Sequence, residues 1–106
     1  MYEEMMASEG VLGYYEYSEE STGQCLVLIS GANRSLVTKI GAANCLTANI
    51  LNTESCKNAL QSAQIFYLAG FSLSLNTDVV KRFVKASENK TLILNLSAPI
   101  VCKQFG

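Results

Sequence analysis

Apolar and polar positions in the first half of the chain follow the spacing of β-strands. Residues 25–29 form a continuous apolar run, which is typical of a strand covered on both faces. Residues 35–40 alternate between apolar and polar side chains, as in a half-covered strand. The intervening residues 31–34, Gly-Ala-Asn-Arg, are typical of a turn. The pattern therefore predicts a β-hairpin with Arg34 at its tip.

Three shorter elements are predicted around this hairpin. Methionines recur at helical spacing in residues 1–9, which indicates the end of a helix that stops at Gly10. Residues 11–17 carry alternating tyrosines and predict a strand, so the hairpin unit is expected to span about 11–40. The small residues at 42–45 favour a short helix.

The second half of the chain changes to helical spacing. Apolar side chains recur on one helix face after Thr53 and again after Asn76, two residues of the kind that caps a helix N-terminus. Each helix leads into a short apolar run, at 65–69 and at 91–96. The order of helix, strand, helix and strand predicts an α/β fold with a βαβ crossover and parallel strands over about 54–99.

Composition excludes several classes of protein. The chain has 106 residues, which is enough for one small domain, and it is 49% hydrophobic and 16% charged, which is too apolar for a disordered chain. A net charge of −1 with scattered basic residues provides no patch for nucleic acid. No apolar run is long enough to cross a membrane, and the acidic N-terminus does not resemble a secretory signal. We therefore expect neither a nucleic-acid nor a membrane partner.

The four cysteines and the lack of histidine limit the chemistry further. No C-x-x-C pair is present, so a structural zinc site is not expected. Without a secretory signal the thiols are expected to be reduced, buried and inert in a protein of the cytosol or nucleus. A Ser-His or Cys-His nucleophile is excluded, and the sequence contains neither a G-x-x-x-x-G-K-[ST] loop nor a G-x-G-x-x-G loop. The acidic residues between 16 and 20 are interpreted as a solvated surface.

Three motifs resemble one enzyme family and occur in its order. Residues 22–44 contain Thr-Gly-x-Cys, an apolar strand, Asn-Arg-Ser-Leu-Val and Ala-Ala-Asn; residues 69–71 are Ala-Gly-Phe; residues 94–99 are Leu-Asn-Leu-Ser-Ala-Pro. Together they resemble adenosine kinases of the ribokinase (pfkB carbohydrate kinase) family, over about 11–99. The resemblance implies a partial ribokinase-like fold, with a lid-type hairpin over about 11–40 and an α/β section over about 42–106. The whole chain, 1–106, would then be a fragment of one kinase domain.

The resemblance also implies roles for individual residues. Arg34 matches the lid arginine that approaches the transferred phosphate, where a guanidinium stabilises charge on phosphoryl oxygens. Phe71 matches the aromatic residue that stacks on adenine. The other residues that match positions around adenosine are Cys25, Leu36, Thr38, Ile40 and Ile100, the last of which replaces the usual phenylalanine and lacks its π-face. Taken without the resemblance, Arg34 could be an ordinary exposed hairpin residue, Phe71 could plug a strand end, and the row of Leu36 could be sheet core.

The implied activity is adenosine phosphorylation at the 5′-hydroxyl, which yields AMP in purine salvage with ATP and Mg²⁺. The sequence lacks the family's Asp-Thr-x-Gly-Ala-Gly-Asp segment, which supplies the catalytic base and anion hole, and its Asn-x-x-Glu motif for magnesium. We therefore expect an internal fragment that has no metal site and is inactive alone, within a full-length enzyme that is monomeric and takes adenosine and ATP as substrates. The alternatives are a truncated product that at most binds a nucleoside, and a ribokinase-family kinase for another nucleoside or sugar. We also expect the isolated chain to self-associate.

Overall fold

The structure of the chain, a computed structural model, describes residues 2–105. It begins with helix α1, Tyr2–Ser8, which ends as predicted near Gly10. The N–H of Gly10 donates to the carbonyl of Ala7, and the N–H of Val11 donates to that of Met6. These two bonds satisfy carbonyls at the helix end in the pattern of a Schellman motif. Met1 and Gly106 lie outside the described residues.

The predicted hairpin is present, with a tighter turn than the sequence suggested. Strand β1, Gln24–Ser30, pairs antiparallel with β2, Asn33–Lys39. Gly31 adopts a φ of 57°, which lets a two-residue connection join the strands, so pairing continues to the last residues of each. Arg34 therefore pairs with Ile29 inside β2, and its predicted position at the tip of the turn was wrong.

Residues 11–17 do not form the predicted strand. A strand needs a neighbouring backbone to satisfy its N–H and C=O groups. Among the described residues, β1 and β2 pair only with each other, and 11–17 has no strand partner. The segment is instead held by side chains: Glu16 bonds to Thr47, and the Tyr17 hydroxyl donates to Glu3. The hairpin thus spans 24–39 rather than about 11–40.

The α/β section follows the predicted order. Thr53 caps helix α2, Glu54–Ser62, and Asn76 caps helix α3, Thr77–Ala86, through side-chain bonds to the first amides of each helix. Strand β3, Ile65–Ala69, pairs in parallel with β4, Thr91–Asn95. Three short 3₁₀ helices complete this section: η1, Gly41–Cys45, at the predicted short helix; η2, Ala48–Asn52; and η3, Gly70–Ser74.

The core lies between the helices and the parallel strands. Phe66 of β3 is 3% exposed, and its ring meets Phe83 of α3 edge to face at 5.1 Å between centroids. The Lys90 ammonium donates to two carbonyls at the end of α2 and lies 5.2 Å from the centre of the Phe66 ring. The other buried apolar residues are Cys56, Val80 and Val101. Cys56 is the one cysteine of the four that matches the predicted burial; the other three are exposed.

Helix α4, Pro99–Phe105, was not predicted. Proline is favoured at the first position of a helix because its missing N–H needs no partner there. Val101 of this helix is 3% exposed, so α4 is anchored in the core. None of the helices described over residues 2–105 has the length and apolar character needed to cross a membrane.

The continuous apolar strand is not covered within the described chain. Every residue of β1 is exposed, and Ile29 reaches 77%. The expectation that residues 25–29 are covered on both faces is therefore not met by residues 2–105. The exposed faces of β1 are the apolar surface through which the isolated chain is expected to self-associate.

Candidate functional site

The hairpin gathers four of the predicted site residues on one face. Directly opposed residues of an antiparallel pair share a face, and alternate residues of a strand do so as well. Arg34, Leu36 and Thr38 therefore share a face of β2, and Thr38 pairs with Cys25 across the hairpin. The Thr38 hydroxyl donates to the Cys25 sulfur at 3.5 Å.

A cleft of about 590 Å³ lies between the base of this hairpin and η3, and we call it the hairpin cleft. Four predicted adenosine residues line it: Cys25, Thr38, Ile40 and Phe71. The remaining lining residues are Gly23, Gln24, Lys39, Ala43, Ser74 and Leu75. The lining is mostly apolar, and no carboxylate is among these residues. The structure thus brings residues from β1, β2 and η3 into one concave site.

Phe71 enters this cleft because η3 begins at the carboxyl end of β3. The strand ends at Ala69, and the chain turns at Gly70 into the 3₁₀ helix that carries Phe71. The ring is 56% exposed. It therefore does not plug the strand end as a core side chain would, and it is available to a flat ligand.

Three predicted residues lie outside the hairpin cleft. Leu36 shares the face of Thr38 but lies farther along β2 and does not line the cleft. Arg34 lies four residues beyond Thr38, about 13 Å along an extended strand. Ile100 is on α4, is 60% exposed and does not line the cleft either. Its predicted contact with the base stays a prediction.

The described residues do not form a metal site. Among residues 2–105 no group of three or more histidine, cysteine, aspartate or glutamate side chains could hold an ion. The only aspartate in the sequence, Asp78, lies in the first turn of α3, where its amide donates to the Asn76 side chain.

Comparisons with known proteins identify the family. No protein-family model matches the chain. Adenosine kinase of Saccharomyces cerevisiae is 41% identical over 99 residues, which cover 91% of this chain and 28% of the yeast protein. Adenosine kinase 1 of Arabidopsis thaliana is 35% identical over 94 residues, 87% of this chain and 27% of the relative.

Solved structures agree with the sequence comparison. The Anopheles gambiae adenosine kinase in complex with P1,P4-di(adenosine-5) tetraphosphate superposes with a TM-score of 0.87 and 33% identity, over 97% of this chain and 31% of that one. The Schistosoma mansoni adenosine kinase in complex with 2-fluoroadenosine gives a TM-score of 0.88 at 25% identity, over 96% and 31% of the two chains. The chain belongs to the adenosine kinase family. It spans less than a third of the length of these relatives.

This membership confirms the predicted fold class. Adenosine kinases have a ribokinase-like fold, and the antiparallel hairpin and parallel βαβ section of this chain are parts of it. Gly23 and Cys25 of the Thr-Gly-x-Cys motif and Phe71 of the Ala-Gly-Phe motif line the hairpin cleft. No residue of the third motif, Leu-Asn-Leu-Ser-Ala-Pro at 94–99, lines this cleft.

One polar contact near the cleft was not anticipated from the sequence. Both carboxylate oxygens of Glu16 accept hydrogen bonds from Thr47, one from its N–H and one from its hydroxyl, each at 2.7 Å. These bonds lower the pKa of the Glu16 carboxyl below its ordinary value, the backbone bond most of all. Glu16 had been assigned to a solvated acidic surface. No local signal marks a contact between residues so far apart in sequence.

Proposed function

We propose that this chain supplies the adenosine-facing hairpin of a kinase that transfers the γ-phosphate of ATP to the 5′-hydroxyl of adenosine. The observation that carries the proposal is the hairpin cleft, where four residues that match adenosine positions of the family share one site. The product would be AMP, as in purine salvage. The names of the curated relatives favour adenosine over another nucleoside or a sugar.

The chemistry of the cleft suits a nucleoside. Its volume of about 590 Å³ is in the usual range of small-molecule pockets, which are mostly apolar with a few polar groups. The exposed Phe71 ring offers a stacking surface, and a stacked base contributes about 1–3 kcal/mol. Thr38 and Gln24 are polar residues within the mostly apolar lining.

We propose that Arg34 meets the charge of the phosphates rather than the base. It lies on the same hairpin face as Thr38 but about 13 Å farther along the strand. Phosphate groups extend beyond the nucleoside, so an exposed guanidinium at that distance would meet phosphoryl oxygens. A hydrogen bond to a charged group contributes about 1.5–3 kcal/mol.

The remaining parts of the reaction are not assigned to residues of this chain. Within residues 2–105 the side chains do not fit a magnesium site, and the sequence holds no Asp-Thr-x-Gly-Ala-Gly-Asp segment. We therefore derive no step through the ion and no proton transfer to a base. We propose that the isolated chain does not catalyse turnover.

A chimera tests this function. In the Saccharomyces cerevisiae relative, the 99 matched residues are replaced by those of this chain, and adenosine phosphorylation is measured with the parent enzyme as reference. The proposal predicts that the chimera phosphorylates adenosine and saturates with it. A folded chimera, shown by circular dichroism and a cooperative melt, that neither binds adenosine nor phosphorylates it would overturn the proposal.

A further inference from the structure

The segments that enter and leave the hairpin are tied together at two points. The Ala42 N–H donates to the Ser21 carbonyl at 2.9 Å, immediately below the strands. Farther from the strands, Glu16 accepts both bonds from Thr47, across 31 residues of sequence. Gly41 permits this close approach: its φ is 59°, and a Cβ there would lie 2.3 Å from the Ser21 carbonyl oxygen.

Thr47 links Glu16 to the next element, η2. Its hydroxyl donates to Glu16 and at the same time accepts a bond from the Asn49 N–H at 3.3 Å, which caps η2. Bonds that share one hydroxyl polarise each other. The Glu16 carboxylate therefore fixes both the end of the η1 region and the start of η2.

The 3₁₀ helix η1 separates two concavities. Ala43 of η1 lines the hairpin cleft, and it also lines a second cavity of about 240 Å³ whose other wall is formed by residues 14–18. Glu16 belongs to that other wall. Residues 14–18 therefore lie across η1 from the hairpin cleft, which Ile40 and Ala43 line.

We propose that Glu16 is a positioning residue for the adenosine site. Through its two hydrogen bonds with Thr47, it holds η1 in place as a wall of the hairpin cleft. The identity of the bound nucleoside rests on the proposed function. The Glu16–Thr47 hydrogen bonds and their effect on the position of η1 do not depend on it. Glu16 does not line the hairpin cleft, so it acts through Ile40 and Ala43.

Amide hydrogen exchange in this chain tests the Glu16–Thr47 hydrogen bonds independently of enzyme activity. Glu16→Gln removes the charge and leaves only one acceptor oxygen, so the Thr47 and Ala42 amides should exchange about 2- to 10-fold faster, the factor of one net hydrogen bond. Glu19→Gln is the matched control, since it removes the same charge from a nearby exposed position. Equal exchange in the two variants would overturn the inference.

The KM for adenosine tests whether Glu16 and Thr47 position η1. In the chimera, Glu16→Gln and Thr47→Val should each raise KM for adenosine about 2- to 10-fold with kcat retained, and the double variant should add little. Thr47→Ser keeps the hydroxyl and should behave as the unmodified chimera. Unchanged KM in an active chimera would overturn the positioning role. An inactive but folded chimera would count against the proposed function. The exchange experiment would still show whether the Glu16–Thr47 hydrogen bonds stabilise this region.

Discussion

The hydroxyl of Thr38 donates a hydrogen bond to the sulfur of Cys25, 3.5 Å away on the neighbouring strand of the hairpin. Both residues line the hairpin cleft, as does Phe71 of η3. The bond joins two predicted site residues that are 13 positions apart in sequence. It also places a thiol inside the site proposed for adenosine, where a chemical probe can report on occupancy.

Adenosine should protect Cys25 from alkylation. Cys25 and Cys102 are both exposed free thiols, but only Cys25 lines the hairpin cleft. Iodoacetamide labelling of the chimera, followed by mass spectrometry, should slow at Cys25 when adenosine is saturating and stay constant at Cys102. Equal labelling of Cys25 with and without bound adenosine would place the nucleoside elsewhere.

Replacement of Arg34 should affect turnover far more than adenosine affinity. In the chimera, Arg34→Ala is expected to lower kcat about 10- to 100-fold, the factor of one charge-assisted bond made to the transferred phosphate. Arg34→Lys keeps the charge but lacks the planar guanidinium, so its kcat should lie between those of the chimera and the Arg34→Ala variant. Lys81→Ala, at an exposed position of α3, is the control for loss of a positive charge. If kcat is unchanged by Arg34→Ala, the assignment of Arg34 to the phosphate is wrong.

The Glu16 contact should weaken in acid. Hydrogen bonds from Thr47 hold the pKa of the Glu16 carboxyl below its ordinary value in the folded chain. A group with a depressed folded pKa stabilises the fold above its unfolded pKa, and this contribution disappears as pH falls through the folded value. The Thr47 amide resonance, followed by NMR from neutral to acidic pH, should therefore titrate with a midpoint below 4.5. Glu16→Gln should abolish the transition, and its persistence in that variant would assign it to another group.

The isolated chain should self-associate through the hairpin. Leu26 and Leu28 lie on the face away from Cys25 and are 59% and 56% exposed. They lie beside the outer edge of β1, which has no strand partner among residues 2–105. Leu26→Lys with Leu28→Glu should shift the chain toward monomer in size-exclusion chromatography with light scattering. Leu12→Lys, at a residue 76% exposed outside the sheet, should not. A monomeric unmodified chain would contradict this expectation.

Local patterns predicted most of the fold. The alternation in 35–40 and the caps Thr53 and Asn76 depend on neighbours within a few residues, and the corresponding elements are present. The strand expected at 11–17 failed because its alternation is local, whereas strand formation needs a partner backbone that residues 2–105 do not provide. Helix α4 was missed because its seven residues are too few for a periodic signal.

The candidate site was predictable where motifs coincide with strand ends. Cys25 and Phe71 are predicted from motifs, Thr38 and Ile40 from the alternating row of β2, and the four residues line one cleft. The contact of Glu16 with Thr47 could not be predicted, because a pairing across 31 residues depends on how the whole chain folds. Ile100 was assigned by its place after Ser-Ala-Pro, and its start-of-helix position leaves it outside the cleft described here.

A crystal structure of the chimera with adenosine would show directly whether the nucleoside binds in the hairpin cleft. We expect the adenine ring to stack on Phe71 within the hairpin cleft, beside Thr38 and Cys25, with the 5′-hydroxyl directed toward the half of the hairpin that carries Arg34. Adenosine bound at full occupancy away from Phe71, with the hairpin cleft unfilled, would contradict it.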